Sequence, residues 1–276
     1  MGQRTVFVIG LCFGQQHVQG MLAVADHFCQ GNLPGIEVRH IVVDNALAAG
    51  PASESVGFTV VPGLNTYHEF SGWQQGLDYI DRMFEPSASD IVLLINDTVH
   101  RSRYSVGGDR YFENYRLGRD VESLPPTWAA GYLDDFPRPA SILGIEFTSW
   151  IRSNFLVFTH GCVQYIRPLV VPLDERRVFG DATHFWADDA PISRNWRAYI
   201  SSWLFGEADP CFPEYRLNWI KAEPLSQANM EFFRKKAMCI LSEHYLTARL
   251  QRAGVPIIDF NDYPKLEDRH VAPYYG

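Results

Sequence analysis

Two acids stand where apolar runs stop. In "IVVDN" the run ends on Asp44, and in "DIVLLINDTV" it ends on Asn96-Asp97, followed by the hydroxyl of Thr98. A carboxylate at a strand tip can hold a divalent cation and, through it, a diphosphate. The same residue type also caps helices and closes turns, so each acid alone leaves both roles open. Arg101 and Arg103 follow Asp97 closely, and guanidinium groups there would neutralise phosphate oxygens. A third acid, Glu243 in "SEHYLTARLQRAG", lies in a stretch with helical spacing. It suits a general base acting on a hydroxyl, or a surface pair three or four residues along a helix. Cys162 and His160 in "THGC" stand two apart and would share a strand face as a thiol–imidazole pair, although no third, orienting group is visible beside them.

The elements that must position these groups alternate in the first hundred residues. Apolar, β-branched runs over 4–11, 38–45, 57–63 and 90–97 predict strands. Between them, Val18, Met21, Leu22, Ala25 and Phe28 predict a helix over 17–30, and Trp73, Leu77, Ile80 and Phe84 predict another over 69–84. Continuous apolar strands alternating with helices indicate a mostly parallel sheet covered on both faces, an α/β chain. Ligands of such sheets bind beyond the carboxyl ends of the strands, where Asp44 and Asp97 stand. Residues 101–140, rich in Arg, Gly and Pro, read as an excursion or lid with a helical part around 109–117. "PASILGIEF" predicts a strand and "SNFLVFTHGCVQYI" a strand running into a helix. Further helices are expected near 195–205 and 226–252, then a short strand and an irregular tail over 261–276. The acid pair in "ADDAP" (187–191) reads as an exposed turn.

Bulk properties narrow the function classes. With 46% hydrophobic and 14% aromatic residues the 276-residue chain can build a large core. A net charge of −8 argues against nucleic acid as a partner. It also means that a phosphate-bearing ligand needs a cation, a helix N-terminus or a local basic cluster. Five dispersed cysteines with no CxxC pair favour a reducing compartment over a disulfide framework or a zinc site. No apolar run is long enough to span a membrane, and "MGQRTVFVIG" enters a strand directly, so a cytoplasmic location is expected. There is no P-loop, GxGxxG, GxSxG or HExxH fingerprint.

Several stretches resemble a known group in collinear order. "IVVDN" resembles the second-strand "VVDD/VVDN" of family-2-type glycosyltransferases. "NTYHEFSGWQQGLDYI" and "LLINDTV" are similar to the "N.G.DFG.W..GL" and "LLNDS" segments of polysaccharide-synthesis transferases in the rhamnan-synthesis F group. "RSNFLVFTHGCVQYI" resembles that group's "SYFLVF.R..L", and "SEHYLTARLQRAGVPI" its "E..LT..L...G" and the wider "ED..LS.RL..AG". Together these span roughly residues 4–258. The resemblance implies a GT-A glycosyltransferase fold, an α/β/α sandwich forming a single domain. Residues 1–100 would be the nucleotide-sugar-binding half and 141–260 the acceptor and catalytic half.

It further implies transfer from a nucleotide-diphosphate-sugar donor to a glycan or lipid-linked glycan acceptor, in bacterial surface polysaccharide synthesis, with inversion. Asp44, Asn65, Glu69, Trp73, Asn96, Asp97 and Arg101 would bind the nucleotide sugar. Glu243, in register with the motif's Asp while Ser242 takes its Glu, would be the catalytic base. Relatives carry a DxD metal motif where this chain has Asn96-Asp97-Thr98 with a single acid. Mn2+ or Mg2+ would therefore rest on Asp97, if a metal is used. The missing second acid leaves room for an inactive nucleotide-sugar-binding or scaffold module of the same fold. Peripheral membrane association stays open beside the absence of a span.

Overall fold

The computed structural model describes residues 4–100, 117, 121–217 and 219–260, with only the backbone of His100. The strands are β1 (Thr5–Cys12), β2 (Glu37–Asp44), β3 (Ser53–Ser55), β4 (Phe58–Pro62), β5 (Ile91–Asn96), β6 (Ala129–Ile142), β7 (Ile145–Thr159) and β8 (Ile257–Asp259). The helices are α1 (Val18–Asn32), α2 (His68–Phe84), α3 (Val163–Ile166), α4 (Glu175–Val178), α5 (Arg194–Phe205) and α6 (Met230–Arg252). The strands form one eight-stranded sheet in the order β3-β4-β2-β1-β5-β7-β6-β8. Four of its seven pairings are parallel and three antiparallel, so the sheet is mixed and mostly parallel.

Side-chain alternation along each strand feeds two cores. Val6 and Val8 of β1, with Leu93 and Ile95 of β5, pack against Val18, Met21 and Phe28 of α1. Phe7, Ile9 and Leu11, with Val92 and Leu94, face Trp73, Leu77 and Ile80 of α2 and Leu246 and Leu250 of α6. Both faces are dry, which is why these strands read as unbroken apolar runs. The chain moves outward from β1 to β2 and β4, then returns through α2 to lay β5 on the other side of β1. Strand order reverses at β1, and the carboxyl ends of β1 and β5 flank that switch point.

The sheet continues through a long hairpin. β6 and β7 are joined by Leu143-Gly144, both at positive φ (50° and 74°), as a two-residue hairpin turn of the right-twisting kind requires. Its far end packs Phe136, Phe147 and Trp150 on Trp196 and Leu204 of α5 and on Phe233 and Leu241 of α6, a third core.

This corrects two expectations. Residues 129–140 are strand rather than excursion, and "PASILGIEF" is the hairpin turn with the strand on either side of it. Pro137 and Pro139 fit inside β6 because the register shifts between Asp135 and Ala140, where a missing N–H breaks no ladder bond. The remainder of the expected excursion (101–116 and 118–120, with most of the helix around 109–117) and the 261–276 tail lie outside the described residues. The other expected elements stand within a few residues of their predicted bounds, and β3 was not anticipated.

α2 approaches β1 closely because two of its turns present glycines. A Cβ at Gly72 would meet Leu11 Cδ1, and one at Gly76 would meet Ile9 Cγ2. Overpacking a close-packed core by one methyl typically destabilises by about 1–3 kcal/mol, while Gly→Ala within a helix returns only about 1 kcal/mol. Gly76→Ala is expected to lower the thermal midpoint. Gly10→Ala, whose obstruction is the flexible end of Met21, is expected to lower it far less. Paired thermal melts check both.

Candidate active site at the carboxyl edge of the sheet

The tips of β2, β1 and β5 stand side by side at the switch point. Asp44 is paired in register with Cys12, and Leu11 with Asn96, so Cys12 lies between the two predicted acids. Burial, with Asp44 and Asp97 facing it, pushes the Cys12 thiol up to about 12, so it stays protonated. Asp44 is 1% exposed and accepts hydrogen bonds from the backbone N–H groups of Gly14 (2.8 Å) and Ala46 (2.9 Å). It therefore fixes the loops that leave β1 and β2. Asn96 Oδ1 accepts from the backbone N–H (3.1 Å) and the hydroxyl of Thr98, which turns the chain sharply at the tip of β5. Asp97 follows at 6% exposure.

Asn45, which the sequence reading passed over, ties β2 to the loop ahead of α2. Its Nδ2 donates to Asn65 Oδ1 (3.4 Å) and to the His68 carbonyl (3.2 Å). A Cβ at Gly63 would collide with Asn45 Oδ1, so glycine is what lets this loop close down on it. Asn65 and His68 both sit at positive φ (48° and 47°), a conformation that stores strain and is held here by these bonds.

The other wall comes from α6. β7 runs antiparallel to β5 with Ile95 opposite Phe155, and Ser153 lies two residues beyond that last pair, past the tip of β5. The Ser153 backbone N–H donates to Glu243 Oε1 at 2.6 Å. The predicted base and the predicted diphosphate-side acid thus belong to the same edge of the sheet. The Glu243 side chain keeps 19% exposure, and burial raises its carboxyl above the usual range. His244 lies 3.8 Å from Glu243 Oε2, beyond hydrogen-bond reach. Burial drives His244 down to about 3, so it is neutral and forms no ion pair. The Trp196 indole donates to its Nδ1 (2.8 Å), which leaves the ring proton on Nε2.

Glu69, at the start of α2, joins the same wall. Its Oε2 accepts from the Cys239 thiol at 2.9 Å. Burial works against its ionisation, but the Lys236 ammonium and the thiol outweigh burial and hold its pKa below the ordinary carboxylate value. Lys236 also approaches the faces of Trp203 (5.9 Å) and Trp219 (5.6 Å), favourable positions for an ammonium. Lys236, Cys239 and Glu243 fall at helical spacing on one face of α6. Two neighbouring carboxylates are therefore shifted in opposite directions, the pattern that separates a fixed charge from a proton acceptor. Among the described residues three buried polar atoms at this edge have no hydrogen-bond partner: Asn45 Oδ1, His68 Nε2 and Asn154 Oδ1. Burial lowers His68, so its ring is neutral.

Three expectations change. Trp73 is fully buried between α2 and the sheet, its indole directed at the Ile95 carbonyl (3.4 Å), and cannot touch a nucleotide. Glu69 faces α6 and Cys239 instead of the β2 side of the crevice. The Cys162–His160 pair is dismantled: Cys162 is fully buried and its thiol donates to the Trp128 carbonyl (3.3 Å), while His160 bonds Asp81 (2.9 Å). Both lie at the opposite end of β5, beside Ile91. Asp188 and Asp189 are exposed turn residues, as expected, and Arg101 and Arg103 lie outside the described residues. No group of three or more His, Cys, Asp or Glu gathers for a metal among the described residues.

No protein-family model matches this chain. No curated protein matches it either. Among solved structures it is similar to the crystal structure of a 4-diphosphocytidyl-2C-methyl-D-erythritol synthase, with 13% identity over 64% of this chain and 83% of that one and a TM-score of 0.31. A likeness at that level carries no functional argument, and the reading rests on the site. No helix among the described residues is long and apolar enough to cross a membrane.

The Glu243 shift has a stability consequence. A carboxyl whose pKa is raised on folding contributes fully at acid pH, below its unfolded value of roughly 4.3, and loses that contribution as pH rises through the folded value. Gln keeps an acceptor for the Ser153 N–H and cannot ionise. Glu243→Gln is therefore expected to melt above the wild type at neutral and alkaline pH, with the gap closing toward roughly pH 4. Melts of the two proteins across that range measure it.

Proposed function

We propose that this chain is a GT-A-like glycosyltransferase that moves a sugar from a nucleotide-diphosphate donor to a glycan hydroxyl, in polysaccharide synthesis. The observation that carries the reading is Glu243, recessed, raised in pKa and anchored on the Ser153 N–H just past the tip of β5. A general base works best with a pKa lifted toward the working pH, and a crevice at a switch point is where such sheets hold nucleotides.

In this reading the donor lies across the tips of β2, β1 and β5. Asp44, Asn45 and Asn65 shape the nucleoside end, and Asn96 and Asp97 the diphosphate end. The amino termini of α1 and α2 point toward this edge, and their dipoles favour the anion. Glu243 takes the proton of the acceptor hydroxyl, whose oxygen attacks the anomeric carbon while the bond to the diphosphate breaks, with inversion. Lys236 holds Glu69 charged beside it, so that the proton goes to Glu243. A magnesium or manganese ion on Asp97 would be completed by water and the donor's phosphates, the habit of a hard cation at a one-carboxylate site, and would add neutralising charge to the leaving group.

The single acid at the β5 tip favours one rival, a module that binds nucleotide sugars without turnover. A thermal-shift screen of uridine, guanosine, cytidine and thymidine diphosphates and their sugars, with and without Mn2+ or Mg2+, separates these readings through ligand-linked stabilisation. Stabilisation by one nucleotide family is expected and should be lost in Asp97→Ala. Glu243→Gln is expected to keep donor binding while lowering kcat by about 10²–10⁴-fold, the range for removing a general base. Binding without transfer to any acceptor would identify the module. No shift with any nucleotide would overturn both readings.

A further inference from the structure

A cavity of about 610 Å3 opens away from the strand tips that carry Asp44 and Asp97. It lies between Tyr67, just ahead of α2, the segment around α4, and Arg234 of α6. Lys236, Cys239 and Glu243 share one face of α6, and Arg234, two residues before Lys236, leaves the helix on the other, so the cavity lies across α6 from Glu243.

Its lining restricts what could enter. Asp174 and Glu175 bring two carboxylates, and Arg176 and Arg234 two guanidiniums. The Tyr67 hydroxyl donates to Glu175 Oε1 (2.8 Å). Asp174 accepts from the Arg176 backbone N–H (3.0 Å). Arg234 donates to the Gly180 carbonyl (2.6 Å) and lies 5.8 Å from the centre of the Phe179 ring, with its Nε buried and unpartnered among the described residues. An anionic ligand would meet the two acids and a cationic one the two arginines. An apolar ligand would strand the polar lining, at about 1–3 kcal/mol for each group left unpaired. A neutral ring carrying several hydroxyls satisfies both signs: its O–H groups donate to the carboxylates and accept from the guanidiniums. The volume falls within the roughly 300–1,000 Å3 of small-molecule sites.

We propose that this cavity is a ligand site that binds a neutral saccharide. Saccharide binding there is independent of the transferase reading. The test is saturation-transfer NMR with methyl glycosides of glucose, galactose, rhamnose and N-acetylglucosamine, and with methyl glucuronide as the anionic comparison. At least one neutral glycoside is expected to bind, more tightly than the glucuronide. Glu175→Gln and Tyr67→Phe are expected to weaken it at least tenfold while leaving any nucleotide-induced thermal shift in place. Arg234→Met adds a third readout, with a melt to show that it folds. No binding by any neutral glycoside, preference for the glucuronide, or binding unchanged in these variants would overturn the inference. Glycoside binding lost in the variants, in a protein that no nucleotide stabilises, would sink the transferase reading and leave the saccharide site standing.

Discussion

One backbone N–H, that of Ser153, fixes the place of the Glu243 carboxylate at the edge of the sheet. It projects from β7 beyond the last residue of β5 paired with it, and it holds the Glu243 carboxylate at 2.6 Å. A carboxylate in a desolvated wall needs a backbone donor, and this amide is free to serve because Ser153 lies beyond the β5 ladder and opposite the register shift between Gly131 and Leu133 of β6. The antiparallel register of β5 and β7 therefore does more than close the sheet: it brings a group from the second half of the chain just past the tip of β5. Shifting that register by one residue would turn the Ser153 amide away from α6 and leave Glu243 without its anchor.

The neighbouring groups are arranged around that charge. Lys236 and the Cys239 thiol keep Glu69 ionised, so the negative charge of the wall resides on Glu69 and Glu243 retains a higher proton affinity. His244 is kept neutral by an aromatic surround, with the Trp150 and Phe136 rings at 4.6 and 5.3 Å, and adds no competing charge. A chain with a net charge of −8 thereby places a lysine beside this pair of carboxylates.

What was legible in the sequence is what local periodicity encodes. Unbroken apolar strands, helical stripes such as Trp73–Leu77–Ile80, and acids at run ends gave the first half of the sheet and the places of Asp44 and Asp97. Glu243 came from the motif resemblance, since helical spacing alone fitted a surface pair equally well. The β6–β7 hairpin was hidden because Pro137, Pro139 and charged residues break alternation where the ladder itself is broken by a register shift. Trp73 shows the opposite failure: a motif position suggested ligand contact, and packing against Phe70 took the ring into the core. The Glu69–Cys239 bond joins residues 170 positions apart, so no local pattern could announce it, although the spacing of Lys236, Cys239 and Glu243 marked a common helix face.

α6 is a single unbroken helix from Met230 to Arg252, and it carries Arg234 at the cavity and Glu243 at the crevice. Nine residues of helix amount to about 13 Å of rise and two and a half turns, so the two side chains leave opposite faces. The helix is thus a partition: a ligand in the cavity and one at the strand tips would meet opposite sides of it and be bound without touching.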